Sequence, residues 1–174
     1  MPPAPFWKAY DILMHNAFVT PSQKLSLIVL TSNWPKIFNP TNKILAAYTA
    51  QSIRTIQYNL KASSTGATNL LQQGLQGRRP LIKRNYIHCS KPGHPYTVRW
   101  FLTLSFPANP NLLLQWATVP KTLLANKSLS PAQKLYLIEF RRFNPSPYPY
   151  TLRVLAKAIG IPFSYAKRIR NSLI

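Results

Sequence analysis

The spacing of apolar positions along this chain shifts from helical to strand-like and back. Pro21 to about Trp34 reads as a helix with Leu25, Ile28 and Leu30 among its buried positions, and it closes at Asn33-Trp34-Pro35 because the ring of Pro35 biases the preceding residue away from helix. A second short helix is expected over Thr41 to Tyr48. Ser52 caps a third, in which Ile53, Ile56 and Leu60 fall at i, i+3 and i+7 on one inward face, leaving Arg54, Thr55, Gln57, Tyr58 and Lys61 on the others. Beyond a Ser/Thr/Gly/Gln-rich stretch, Ser63 to Gly77, the period becomes two. Tyr96, Val98, Trp100, Leu102, Leu104 and Phe106 alternate with Thr97, Arg99, Phe101, Thr103 and Ser105. With Leu81 to Cys89 and the turn Lys91-Pro92-Gly93-His94-Pro95, this predicts a β-hairpin. Phe6 to Asn16 is expected to be a helix packing Phe6, Tyr10 and Leu13 inward, or else a short arm. Pro107 to Asn126 reads as a linker with one or two short helices, whose Leu112, Leu113, Leu114, Trp116, Leu123 and Leu124 are too apolar for exposure.

Compared with itself at an offset of 110 residues, the chain pairs residues 19–28 (VTPSQKLSLI) with residues 129–138 (LSPAQKLYLI), and six of the ten positions are identical. Each copy starts with Thr or Ser, able to cap orphan amides, followed by Pro at a position where its missing N–H costs nothing. The same offset pairs Leu45-Ala46 with Leu155-Ala156, so duplication of one unit explains the match better than the general likeness of helix starts. The second copy has a proline-rich spacer, residues 144–150, and ends at Ile174 without residues for a hairpin. We therefore expect an N-terminal unit over 1–106, a helical linker over 107–128 and a truncated tri-helical unit over 129–174. Because the copies run head to tail, their two outer helices are expected to engage direct or non-identical half-sites.

Two short helices joined by a tight turn, the second exposing Arg, Thr and Gln, form a helix-turn-helix with its recognition helix. Residues 44–57 (ILAAYTAQSIRTIQ) resemble the winged helix-turn-helix domains of plasmid and phage replication initiators and related bacterial regulators: Leu-Ala, a small residue or Gly in the turn, a capping Ser, then Arg-Thr-hydrophobic-Gln. Ala50 stands where that family usually has Gly. The second copy, residues 155–169 (LAKAIGIPFSYAKRI), has Gly160 at that turn. Its last helix is expected to bury Ala166, Ile169 and Leu173 and to expose Ser164, Tyr165, Lys167, Arg168 and Arg170. The resemblance implies two helix-turn-helix units, with the hairpin in the place of a wing on the first. The fold class is accordingly mainly α with a small antiparallel β-hairpin.

Charge narrows the function. The chain has 174 residues with 22 Lys+Arg against 2 Asp+Glu, a formal net charge of +20, and its only carboxylate side chains are Asp11 and Glu139. Paired-carboxylate and two-metal chemistry need clustered acids, and two so far apart in sequence offer one partner each, so no enzyme is expected. A hydrophobic content of 46% excludes a disordered basic tail. Charge of one sign at this density repels itself and calls for a polyanion. No apolar stretch approaches the roughly 20 residues of a membrane span, and Met1 to Phe6 lacks the features of a secretory signal, so an intracellular place in cytoplasm or nucleoid is expected, with no membrane partner.

His88-Cys89-Ser90-Lys91-Pro92-Gly93-His94 is superficially like part of a zinc knuckle, but a single cysteine and two histidines supply at most three ligands, and neither a metal nor any other cofactor is expected. With no carboxylate nearby to orient an imidazole, Cys89 reads as a core residue rather than a nucleophile. The expected activity is double-stranded DNA binding at a bipartite site, in replication initiation or transcription regulation, by a monomer or homodimer. Ser52, Arg54, Thr55, Gln57, Tyr58 and Lys61 on the first recognition helix, and Ser164, Tyr165, Lys167, Arg168 and Arg170 on the second, are the candidate readers. Arg78, Arg79, Lys83, Arg84, Lys91 and Arg99, on and before the hairpin, are candidate phosphate contacts. The alternatives are an RNA-binding or ribonucleoprotein component, and the DNA-binding part of a transposase system.

Overall fold

The Thr/Ser-Pro-x-Gln that opens each copy is a complete capping box. Thr20 Oγ1 accepts the Gln23 amide at 3.3 Å while Gln23 Oε1 accepts the Thr20 amide at 2.9 Å, and Ser130 and Gln133 repeat the exchange at 3.3 and 2.7 Å. These boxes start the two central helices, α2 (Pro21–Thr31) and α6 (Pro131–Phe143). In the computed structural model, which describes residues 6–15, 19–32, 40–60, 116–143 and 151–173, the other elements are β1 (Phe6–Tyr10), α1 (Asp11–Met14), α3 (Asn42–Thr49), α4 (Ile53–Leu60), β2 (Trp116–Pro120), α5 (Lys121–Leu124), α7 (Leu152–Ile159) and α8 (Phe163–Leu173). The molecule is mainly helical with a two-stranded antiparallel sheet. That sheet joins distant segments, β1 to β2. The hairpin and wing expected over 81–106, and the Ser/Thr/Gly/Gln-rich stretch before it, lie outside the described residues.

Three expectations are corrected at this sheet. Phe6 to Tyr10 is a strand, followed by a single helical turn, because Trp7 and Ala9 alternate inward with period two before Leu13 and Met14 continue the core. Residues 116–124, read from sequence as part of a helical linker, are β2 and α5, and they place the same strand-and-turn before α6 that β1 and α1 place before α2. The repeat therefore extends back to Phe6 and Trp116. Trp116 itself is exposed, with the Lys8 ammonium 4.8 Å from its ring centroid, so the expectation that it is too apolar for the surface fails: the cation covers the ring face instead.

The two copies are related by a two-fold axis. In the β1–β2 ladder Lys8 faces Thr118, Phe6 faces Pro120 and Tyr10 faces Trp116. Lys8 and Thr118 are equivalent repeat positions, and the other two pairs exchange when the copies are swapped, so the ladder maps onto itself. The buried lysines tell the same story. Lys24 and Lys134, each 1% exposed, occupy the same place on α2 and α6. Lys24 Nζ donates to the Ile159 carbonyl at 2.9 Å, and Lys134 Nζ donates to the Thr49 carbonyl at 2.9 Å and to the Leu124 carbonyl at 2.6 Å. Thr49 and Ile159 are again equivalent: each central helix sends its lysine to the turn of the other copy's helix-turn-helix, where the carbonyls of α3 or α7 have run out of amides and the helix dipole favours a cation. A head-to-tail stack would put patch x of one copy on patch y of the next, without return. The contacts here are reciprocal, so copies that are consecutive in sequence pack symmetrically in space.

One apolar cluster runs through both copies, from Trp7, Leu13 and Met14 through Leu25, Leu27, Ile28 and Leu30 to Leu135, Ile138, Leu155 and Ile159. α2 ends at Thr31, earlier than the expected Trp34, with Thr31 Oγ1 turned back onto the Leu27 carbonyl at 2.7 Å. α3 begins at the Thr41 cap and α7 at the Thr151 cap.

Candidate nucleic-acid interface

Each helix-turn-helix is closed by a residue in the left-handed region: Ala50 at φ 54° after α3, Gly160 at φ 75° after α7. In both, the amide beyond reaches back five residues, Gln51 N–H to the Ala46 carbonyl and Ile161 N–H to the Ala156 carbonyl, at 3.1 and 3.0 Å. This turn aims α4 and α8 outward. Residues 41–49 and 151–159 repeat one another's burial position by position, as do 51–59 and 161–169, so the two units offer the same positions to solvent.

On α4, Arg54, Gln57 and Tyr58 are exposed. Ser52 works mainly as the cap, its Oγ accepting the Thr55 amide at 3.0 Å and sharing a 2.8 Å hydrogen bond with Thr55 Oγ1. Ile53, expected inside, is 46% exposed. At 100° per residue it lies about 60° round from Ile56, at the edge of a stripe that Ile56, Asn59 and Leu60 fill. The polar member of that stripe went unread: Asn59 Nδ2 donates to Ser22 Oγ at 2.9 Å, and Gln51 Nε2 donates to the same oxygen at 3.0 Å, pinning α4 to the start of α2. The second copy has Ala132, Ile161 and Ile169 at the three equivalent places, so it makes the same joint with apolar contacts.

On α8, Ser164, Lys167, Arg168 and Arg170 are exposed, and Ala166 and Ile169 are buried as expected. Tyr165 and Leu173 are corrected to half-buried, both resting against the apolar cluster. The Arg168 guanidinium lies 5.4 Å from the Tyr165 ring centroid, and that of Arg153, on α7, lies 5.7 Å from that of Phe163. Phe163 is 47% exposed at the position equivalent to Ile53. These two apolar side chains at the start of each outer helix are the site residues that sequence reasoning missed. Lys61, Arg78, Arg79, Lys83, Arg84, Lys91 and Arg99 lie outside the described residues, as do His88, Cys89 and His94.

The two acids, far apart in sequence, meet in the fold. Asp11 on α1 and Glu139 on α6 converge on Arg142, whose Nη2 pairs with Asp11 Oδ2 and whose Nη1 lies 3.9 Å from Glu139 Oε2, with His15 Nε2 at 3.4 Å from the same oxygen. This cluster joins the two copies. No carboxylate lies within ion-pair distance of Arg54, Lys167, Arg168 or Arg170 among the described residues. Burial pushes the Lys24 ammonium down to about 8, partly countered by Glu139, and pushes Lys134 down and the Tyr10 phenol up. Among the described residues no three His, Cys, Asp or Glu come together as a metal site would require, and no helix is long and apolar enough to cross a membrane.

Comparisons with protein-family models, with curated proteins and with solved structures return no match for this chain.

Proposed function

We propose that this chain is a non-enzymatic double-stranded DNA-binding protein that reads a bipartite site through α4 and α8. The observation that carries the reading is the pair of outer helices, each behind a tight turn, presenting side chains suited to base edges with no acid beside them. Arg54 can pair with the O6 and N7 of guanine, Gln57 with the N6 and N7 of adenine, and Ile53 and Phe163 suit the methyl of thymine. Lys167, Arg168 and Arg170 supply cations to the same surface. The sequestering of both carboxylates on Arg142 supports it further, because it removes repulsion of phosphates from the reading faces. Site-specific duplex binding of this kind serves replication initiation or transcription regulation.

The test is binding of duplex DNA across a salt series. About six to eight phosphate contacts predict a log–log slope near −5 to −7, and a slope shallower than about −2 refutes nucleic-acid binding. Structured RNA that competes better than duplex DNA would favour the ribonucleoprotein alternative.

A further inference from the structure

We infer that the duplex recognised by this single chain carries two half-sites in inverted orientation but of unlike sequence. The inference rests on the duplex-binding reading and adds the arrangement of the target. Duplex DNA has local two-fold axes perpendicular to its length. When two reading helices are related by a protein two-fold, both enter equivalent grooves in equivalent ways only if the protein axis lies along one of those dyads, and the half-sites are then inverted. Units related by translation along the groove would instead read direct repeats.

The order of the copies in sequence favours direct repeats, and the packing opposes it. The β1–β2 ladder is self-symmetric about Lys8 and Thr118, and Lys24 and Lys134 reach across to Ile159 and Thr49 in a reciprocal exchange. A translation cannot generate either feature. The side chains at equivalent solvent positions nevertheless differ: Ile53, Arg54, Gln57 and Tyr58 on α4 stand against Phe163, Ser164, Lys167 and Arg168 on α8. An inverted geometry with different readers gives a target whose halves face each other without spelling the same bases. Helices in successive major grooves on one face would place the half-site centres about 10–10.5 bp apart.

The experiment selects duplexes bound by the full chain from random DNA at fixed salt. One half-site of the selected duplex is then replaced by its reverse complement with the centre-to-centre distance held. The expected result is at least tenfold weaker binding of the reversed duplex, and loss of that preference when Lys167, Arg168 and Arg170 are all changed to Ala. Equal binding of the two duplexes, or a selected set dominated by direct repeats, overturns the inference while leaving duplex binding intact. Recovery of no preferred duplex overturns the proposed function, and the inference with it.

Discussion

Ala50 and Gly160 do the same backbone task with different residues, and exchanging them sets opposite signs. At φ 54° and ψ 36°, Ala50 holds a conformation that costs an L-residue about 1–2 kcal/mol. Ala50→Gly relieves that cost, and the greater freedom of Gly in the unfolded chain takes back roughly 0.5–1 kcal/mol. The net expectation is a gain of about 0.5–1 kcal/mol. Gly160→Ala runs the other way by a similar amount. It also adds a methyl 3.4 Å from Lys24 Nζ, an ordinary contact in distance but one that further dries an already buried ammonium, so a loss of about 1 kcal/mol or slightly more is expected. Urea denaturation followed by far-ultraviolet circular dichroism at one pH and salt separates the two. In thermal melts each kcal/mol corresponds to about 2–4 °C for a domain of this size. A destabilised Ala50→Gly protein, or two variants moving in the same direction, would refute the argument that both turns are governed by positive φ.

Other predictions draw on charge and on the outer helices. Lys24 ionises near 8 when folded against 10.5 in its ordinary state, so between those values the unfolded chain holds a proton that the folded chain has lost, and stability rises with pH by up to about 1.4 kcal/mol per unit. Lys134 contributes with the same sign, and Tyr10, shifted up, opposes it above about pH 10; the stability difference between the wild type and Lys24→Met, measured from pH 7.5 to 10, isolates the Lys24 part, and a flat difference counts against it. Arg142→Met strips the cation from two carboxylates and should cost about 3 kcal/mol, which denaturation measures directly. Ile53→Ala and Phe163→Ala should leave stability within about 0.5 kcal/mol, yet each should weaken duplex binding, and by less where thymine is replaced by uracil, which lacks the methyl they would contact. Arg54→Ala should cost roughly 1–3 kcal/mol on the preferred duplex and relax the choice at one base pair.

What the sequence revealed follows from where its signals are local. Capping residues and the apolar spacing of α3 and α4 are set within a few residues, and both helices stand within one or two residues of expectation. The identities of Gln23, Lys24, Gln133 and Lys134 were legible as a repeat. Their tasks were not, because the glutamines close capping boxes within their own turn whereas the lysines act across the two-fold axis on the other copy. Strand β2 was missed because Trp116 to Pro120 has no long alternating pattern and pairs with a partner over a hundred residues away in sequence. The burial of Asn59 has no signal in apolar spacing, because it rests on a hydrogen bond to Ser22, 37 residues away in sequence. Ile53 is the reverse: an apolar residue at the edge of a buried stripe, which spacing alone assigns to the core, and Phe163 holds the equivalent place on α8.

The symmetric contact between the two copies is made within one polypeptide, and that changes what dilution can do. A homodimer with this interface would fall apart below its dissociation constant, and its reading helices would be bound to identical spelling. Here the halves are joined for good, so their association is unimolecular, and the melting temperature of the free protein should not depend on its concentration. Covalent linkage also frees each half to change its readers without altering the other. If the outer helices read DNA as proposed, a single chain then suffices to occupy a site whose two halves are different words.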